Sequence, residues 1–177
     1  SPTENQTPNL ISRKSTALIQ NAEGIPILNN GEIDALRLLI PSRLRMVPWK
    51  QKYKGSINGM CLDRVFQSVS SSKPLVLVIS SDDDVKFGAF LTDGIQIGRG
   101  FSGGGETFVF TFKNLIDAYR WSHQNPNFIY ANRRELIIGG SSSSGSAIYI
   151  EENLLDGFSD ECDTFDSPTL TLKPEFR

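Results

Sequence analysis

From Pro74 onward the sequence is a succession of short apolar runs with no helix-length amphipathic stretch between them. "PLVLVISS" is rich in β-branched residues and fits a well-buried strand. "DDD" makes a turn, and "VKFGAFLT" returns as its hairpin partner. "ETFVFTF" alternates, so Phe108, Phe110 and Phe112 fall on one face of a strand, as a period of two requires. "NFIYA", "ELIIGG" and "SAIYI" follow, separated by "NRR" and "SSSSG". Residues 117–122, "DAYRWS", fit a helix or a strand equally. Parallel neighbours need a crossover of a dozen or more residues, usually a helix, and none is present here. The pattern therefore predicts an α+β domain: an antiparallel two-sheet β-sandwich of seven or eight strands, with about two flanking helices near the N-terminal side.

The helices come from the front of the chain. In "GEIDALRLLIP", Ile33, Leu36, Leu39 and Ile40 share one helical face, Glu32 and Asp34 suit the positive end of the dipole, and Pro41 marks the stop. "WKQKYK" reads as a short strand. In "NGMCLDRVFQSVS", Leu62, Val65, Phe66 and Val69 are spaced for a second helix, with Asn58 as its cap and serines 70–72 past its end. Residues 1–30 form a polar lead-in broken by Pro2, Pro8, Gly24 and Pro26, either a linker or an arm laid over the domain. Residues 31–177 are left as one domain, and a chain of 177 residues is long enough for a sizeable core.

Net charge is −2, which disfavours bulk attraction to nucleic acid, but the charge is segregated. Ile40 to Leu62 contains no acid and five cations: Arg43, Arg45, Lys50, Lys52 and Lys54. Glu135 to Leu172 contains no Lys or Arg but carries Glu151, Glu152, Asp156, Asp160, Glu161, Asp163 and Asp166. These stretches are either solvated surface or a dipolar surface that steers a charged partner. No apolar run approaches the roughly 20 residues needed to cross a bilayer, and the N-terminus has no apolar signal-peptide core. Two distant cysteines, Cys61 and Cys162, give no disulfide framework and favour a reducing compartment.

Catalytic chemistry does not assemble in the sequence. The one histidine, His123, lies in the turn-like "WSHQNPN", and with two distant cysteines it gives no closed zinc site. Asp82–Asp84 and the acids at 160–163 lack the spacing of a calcium loop. "GRGFSGGGE", residues 98–106, has no Gly-Lys-Ser/Thr and leads into a strand rather than a helix, so it is no phosphate cradle; its glycines permit a tight or mobile loop beside Glu106. Cys61 lies beside the apolar stripe of its helix as core filler. Cys162 stands among Asp160, Glu161 and Asp163, and neighbouring carboxylates disfavour the thiolate that a reactive cysteine needs. No catalytic residue, metal ligand or cofactor is assigned.

The order of these segments resembles the TLDc domain, the module of oxidation resistance protein and its relatives. The resemblance rests on Trp49 and Tyr53, Gly59 opening a helix, "PLVLVIS", "VKFGAF", "GETFVF" at 105–110, "YRWS" at 119–122 and "NFIY" at 127–130. It continues through "LIIGGSSSSGSAIYIEENLLDG" to Gly157, Ser159, Cys162, Thr164 and Phe165, and covers roughly residues 31–176. The resemblance implies that 157–165 is a structural segment bordering the sandwich, with Cys162 as wall or as a redox-responsive thiol. Such domains usually continue after the phenylalanine with a last strand ending in Glu-Val-Trp; here the sequence reads Phe176-Arg177, so the expectation is a missing last strand and an edge for the N-terminal arm to cover.

What the family implies for function is a non-enzymatic binding or regulatory domain that protects against oxidative stress. Its implied partner is one or more subunits of the vacuolar-type proton ATPase, met in the cytoplasm or at the cytosolic face of endolysosomal membranes. The surfaces expected to carry contacts are Arg43, Arg45, Lys50, Lys52 and Lys54, the loop 98–105 with Glu106, and the acidic stretch with Asp160, Glu161 and Asp163. Two alternatives stand beside it: thiol-based antioxidant chemistry at Cys61 or Cys162, and an adaptor domain within a larger membrane-trafficking protein.

Overall fold

The computed structural model describes residues 19–140 and 145–177. The first part of the polar lead-in and serines 141–144 therefore lie outside the described residues. The architecture is the expected sandwich. A four-stranded antiparallel sheet holds β3 (Leu75–Ser80), β4 (Lys86–Leu91), β5 (Phe108–Thr111) and β6 (Asp117–Arg120) in that order. The second, five-stranded sheet runs β11 (Glu175–Phe176), β10 (Gly157–Phe158), β9 (Ile148–Glu151), β8 (Glu135–Ile138), β7 (Ile129–Ala131). Asp117–Arg120 is a strand because all four of its residues pair with β5, a tertiary preference that local sequence does not reveal.

The central strands β4 and β5 of the four-stranded sheet are buried on both faces. Phe87, Ala89, Leu91 and Val109 meet Leu136, Ile138, Ile148 and Ile150 of the other sheet. Phe90, Phe108 and Phe110 point the other way and pack with Ile33, Leu36 and Ile40. Phe112 packs partly buried on that same face, as the alternation predicts. Burying such a side chain contributes about 1.5–3 kcal/mol, so this phenylalanine layer is a main reason the first helix lies where it does.

That helix, α1 (Asn30–Leu39), starts with a capping box: Glu32 N–H donates to Asn29 Oδ1 at 2.8 Å, and Asn29 N–H donates to Glu32 Oε1 at 2.9 Å. The arrangement is worth about 1 kcal/mol. Lys86 reaches Glu32 at 2.7 Å and ties this end to β4. Pro41 follows the helix, and a short 3-10 turn spans Ser42–Leu44.

The second expected helix is present but starts later than expected, at Leu62. A single turn, α2 (Gly55–Asn58), precedes α3 (Leu62–Val69), and Gly59 between them has φ +100°, which a helix cannot contain. Asn58 is not the cap of α3. Its Oδ1 accepts from Lys54 N–H at 2.8 Å, and Cys61 occupies the cap position without a side-chain bond. Leu62, Phe66 and Val69 are buried as their spacing predicts.

"WKQKYK" yields only β2 (Trp49–Lys50), which pairs in parallel with β1 (Ile19–Gln20). The described part of the lead-in thus lies on the basic stretch, not along β11. At the other end, Glu175 and Phe176 pair with Phe158 and Gly157, and Phe176 meets Phe87 edge-on at 4.9 Å. Asp82 N–H also donates to the Arg177 carbonyl at 2.7 Å, so the last residues are bonded to both sheets' surroundings.

Candidate interaction site

The C-terminal end of α1 leaves carbonyls without helical partners. Two arginines, distant in sequence, supply donors. Arg45 donates to Leu38 O at 2.8 Å and to Ile40 O at 3.2 Å, and Arg120 of β6 donates to Leu39 O at 2.7 Å. The Arg120 guanidinium also lies 5.0 Å from the centre of the Phe108 ring. Cations here complement the negative end of the helix dipole. Arg43, one turn away, makes a two-pronged pair with Glu106, 2.6 Å on each side. Those hydrogen bonds hold the Glu106 carboxyl below the usual carboxylate range, and the same contact raises Arg43. Between the helix end and the start of β5 lies an open cleft of about 360 Å³, whose walls include Pro41, Ser42, Arg45, Gly105, Glu106 and Arg120.

Arg37 holds the basic stretch from beneath. It sits at 6% exposure, donates to Arg45 O at 3.1 Å and Val47 O at 3.2 Å, and lies 4.9 Å from the centre of the Trp49 ring. Burial lowers its pKa from the ordinary arginine value. Lys54 bonds the Ile25 carbonyl. Lys50 and Lys52 are exposed, and neither has a side-chain partner among the described residues.

The acidic stretch is built differently. Its acids alternate with small residues that point inward. Ser159 Oγ accepts from Leu170 N–H at 2.9 Å. Thr164 Oγ1 accepts from Gly140 N–H at 3.0 Å and donates to Asn125 Oδ1 at 2.8 Å. Cys162 is 2% exposed and exchanges both backbone hydrogen bonds with Ser167, at 2.9 and 3.1 Å. Gly139 lies against its sulfur, with φ +71°; a Cβ there would come within 2.6 Å of Sγ and 2.8 Å of the Phe165 ring. Asp160 is half-buried beside Gly145, Glu161 is exposed, and the Asp163 carbonyl accepts from the Ser122 hydroxyl.

Arg45 and Glu106 therefore come together around one cleft, with Arg43 paired to Glu106, while Lys50, Lys52 and Lys54 lie further along the basic stretch and Asp160, Glu161 and Asp163 belong to the wall around Cys162. The loop 98–105 is stitched to β7, with Ser102 and Ile129 exchanging bonds of 2.7 and 3.0 Å. Asp82–Asp84 form the β3–β4 turn, closed by Ser81 N–H to Val85 O at 3.0 Å. His123 is exposed and stacks 3.9 Å from Trp121. Among the described residues, no three His, Cys, Asp or Glu side chains are grouped to hold a metal, and no helix is long and apolar enough to cross a membrane.

Sequence reasoning missed Arg37 and Arg120. Arg37 left a trace, because 33, 36, 37 and 40 follow the i, i+3, i+4, i+7 rule and place it inside the buried stripe. Arg120 left none.

A family model described as the TLDc domain matches residues 22–177. Nuclear receptor coactivator 7 of Mus musculus is 31% identical over 162 residues, covering 87% of this chain and 17% of its own length. Oxidation resistance protein 1 of Homo sapiens is 31% identical over 146 residues, covering 82% of this chain and 17% of its own length. The Bos taurus protein of that name is 32% identical over 138 residues, 77% of this chain and 16% of its own. The chain thus spans only about a sixth of the length of the curated relatives it matches.

Proposed function

The chain belongs to the TLDc domain family, and from that premise we propose that it is a non-enzymatic binding and regulatory domain of the oxidative-stress response. Its partner is a subunit of the vacuolar-type proton ATPase, met in the cytoplasm at endolysosomal membranes. The observation that carries this reading is the display of Lys50 and Lys52: two exposed cations without an internal partner among the described residues, on a stretch held in place by Arg37. Long-range attraction of such a surface steers encounter with an acidic partner and weakens as salt rises. Relatives named for oxidation resistance support the stress role.

The test is capture of purified proton pump by this domain. Lys50→Glu with Lys52→Glu is expected to weaken capture about tenfold or more, with the salt dependence reduced. Capture unchanged by that reversal, and by reversal of Glu161 on the acidic stretch, would reject the assignment. Cells lacking both thiols, through Cys61→Ser and Cys162→Ser, are expected to keep their protection against peroxide; loss of protection without loss of fold would favour thiol chemistry instead.

A further inference from the structure

The cleft at the end of α1 has a charge imbalance that the fold itself does not use up. Arg45 and Arg120 line it, against the single carboxylate of Glu106, whose two oxygens are both taken by Arg43. Arg45 and Arg120 meet the carbonyls at the end of α1 but no carboxylate among the described residues, so both full positive charges face only the partial charge of the helix end. Among the described residues Arg45 uses Nε and Nη2, and Arg120 uses only Nη2. Arg45 Nη1, and Arg120 Nε and Nη1, remain as donors at exposed residues. A guanidinium presents its donors in a planar fork that matches a carboxylate. Thr107, another lining residue, carries a buried hydroxyl without a partner among the described residues.

The surroundings narrow the ligand. Leu39, Ile40 and Pro41 line one side of the cleft. Leu38 and Met46, chain neighbours of the lining residues Leu39 and Arg45, and Val47 beyond them are exposed apolar residues, 66%, 79% and 47% accessible. Arg45 bonds the Leu38 carbonyl and Arg37 bonds that of Val47, so these residues belong to the same small region. A free inorganic anion would use the arginines and leave the apolar rim exposed. A peptide with a carboxylate next to an aliphatic side chain satisfies both.

We propose that this cleft is a docking site for an acidic segment of a partner protein: a Glu or Asp side chain enters between Arg45 and Arg120, and a neighbouring aliphatic side chain covers Leu38 and Met46. The proposal rests on reading the chain as a binding module, but it is independent of which assembly is bound.

The probe is a fluorescein-labelled peptide, Glu-Glu-Leu-Asp-Glu-Leu, followed by anisotropy and by amide shifts of the isotope-labelled chain. Arg45 and Arg120 also cap α1, so the diagnostic variants are Ser42→Asp, which places a negative charge in the cleft, and Leu38→Ser, which removes an exposed apolar contact. The Ser42 side chain has no hydrogen-bond partner among the described residues, so melting temperature should hold. The expected result is binding that weakens with salt, shifts at Ser42, Gly105 and Thr107, about tenfold weaker binding by Ser42→Asp, and a smaller loss by Leu38→Ser. A peptide with Gln and Asn in place of the acids should bind at least about tenfold more weakly. Equal binding by that neutral peptide, binding untouched by Ser42→Asp, competition by inorganic phosphate at the peptide's own concentration, or no binding would each overturn the proposal. Pump capture lost while the peptide still binds would reject the pump and keep the cleft; the reverse would reject the cleft alone.

Discussion

The basic stretch 43–54 and the acidic stretch 157–165 are both dense in charge, yet they meet the rest of the molecule in opposite ways. In the acidic stretch the uncharged residues do the holding: Ser159, Cys162 and Thr164 are buried and their polar atoms bond neighbouring segments. In the basic stretch the holding is done by cations, Arg37 from beneath and Arg43, Arg45 and Lys54 from within, while Lys50 and Lys52 stay exposed without a partner among the described residues. Charge density therefore says little about which surface is available. What decides is the residues between the charges. Small polar residues that face inward make a wall.

That contrast can be broken most forcefully at Gly139. Gly139→Ala forces a left-handed backbone and a contact with Cys162 Sγ, and is expected to cost about 3 kcal/mol in denaturant unfolding. An unchanged midpoint would mean the wall around Cys162 yields easily. Thr164→Val keeps the shape but leaves Gly140 N–H without an acceptor; the expected loss is about 2 kcal/mol by the same measurement.

The Arg43–Glu106 pair should matter less, since both side chains are largely exposed, at 58% and 43%. Its contribution has a definite sign with pH. The Glu106 carboxyl is held below its ordinary range in the folded chain, so the stabilisation is present at neutral pH and is lost as pH falls through that lowered value. Glu106→Gln should remove this acid dependence and the part of the salt dependence that the pair contributes in thermal melts. Smallest of all, Lys52→Glu should change stability by no more than about 0.5 kcal/mol; a larger loss would show that the basic stretch is also wall.

Much of this frame is legible before any coordinates. The alternation of Phe108, Phe110 and Phe112, the run 75–80 and the stripe on α1 each follow from a period. The failures share a cause. Asp117–Arg120 is a strand only because β5 lies beside it. Asn58 suits a cap, but Gly59 turns the chain and commits Asn58 to Lys54 instead. Arg43 and Glu106 both stand out in sequence, yet nothing in a linear reading joins residues 63 positions apart. Arg120 looks like an ordinary strand-end cation until α1 is placed over Phe108. The cleft is therefore a property of packing between the helix end and the sheet, not of any motif.

Arg37 has one further consequence. Because its guanidinium is gripped between the Trp49 ring and two carbonyls, the backbone at 45–49 is tied to α1 by contacts internal to the chain. A partner meeting this surface loses little chain entropy there on association, so modest contacts suffice for useful affinity. Trp49 also makes the arrangement optically visible: once the other tryptophan is removed by Trp121→Phe, its emission reports whether the platform beneath the lysines is intact, with no label added.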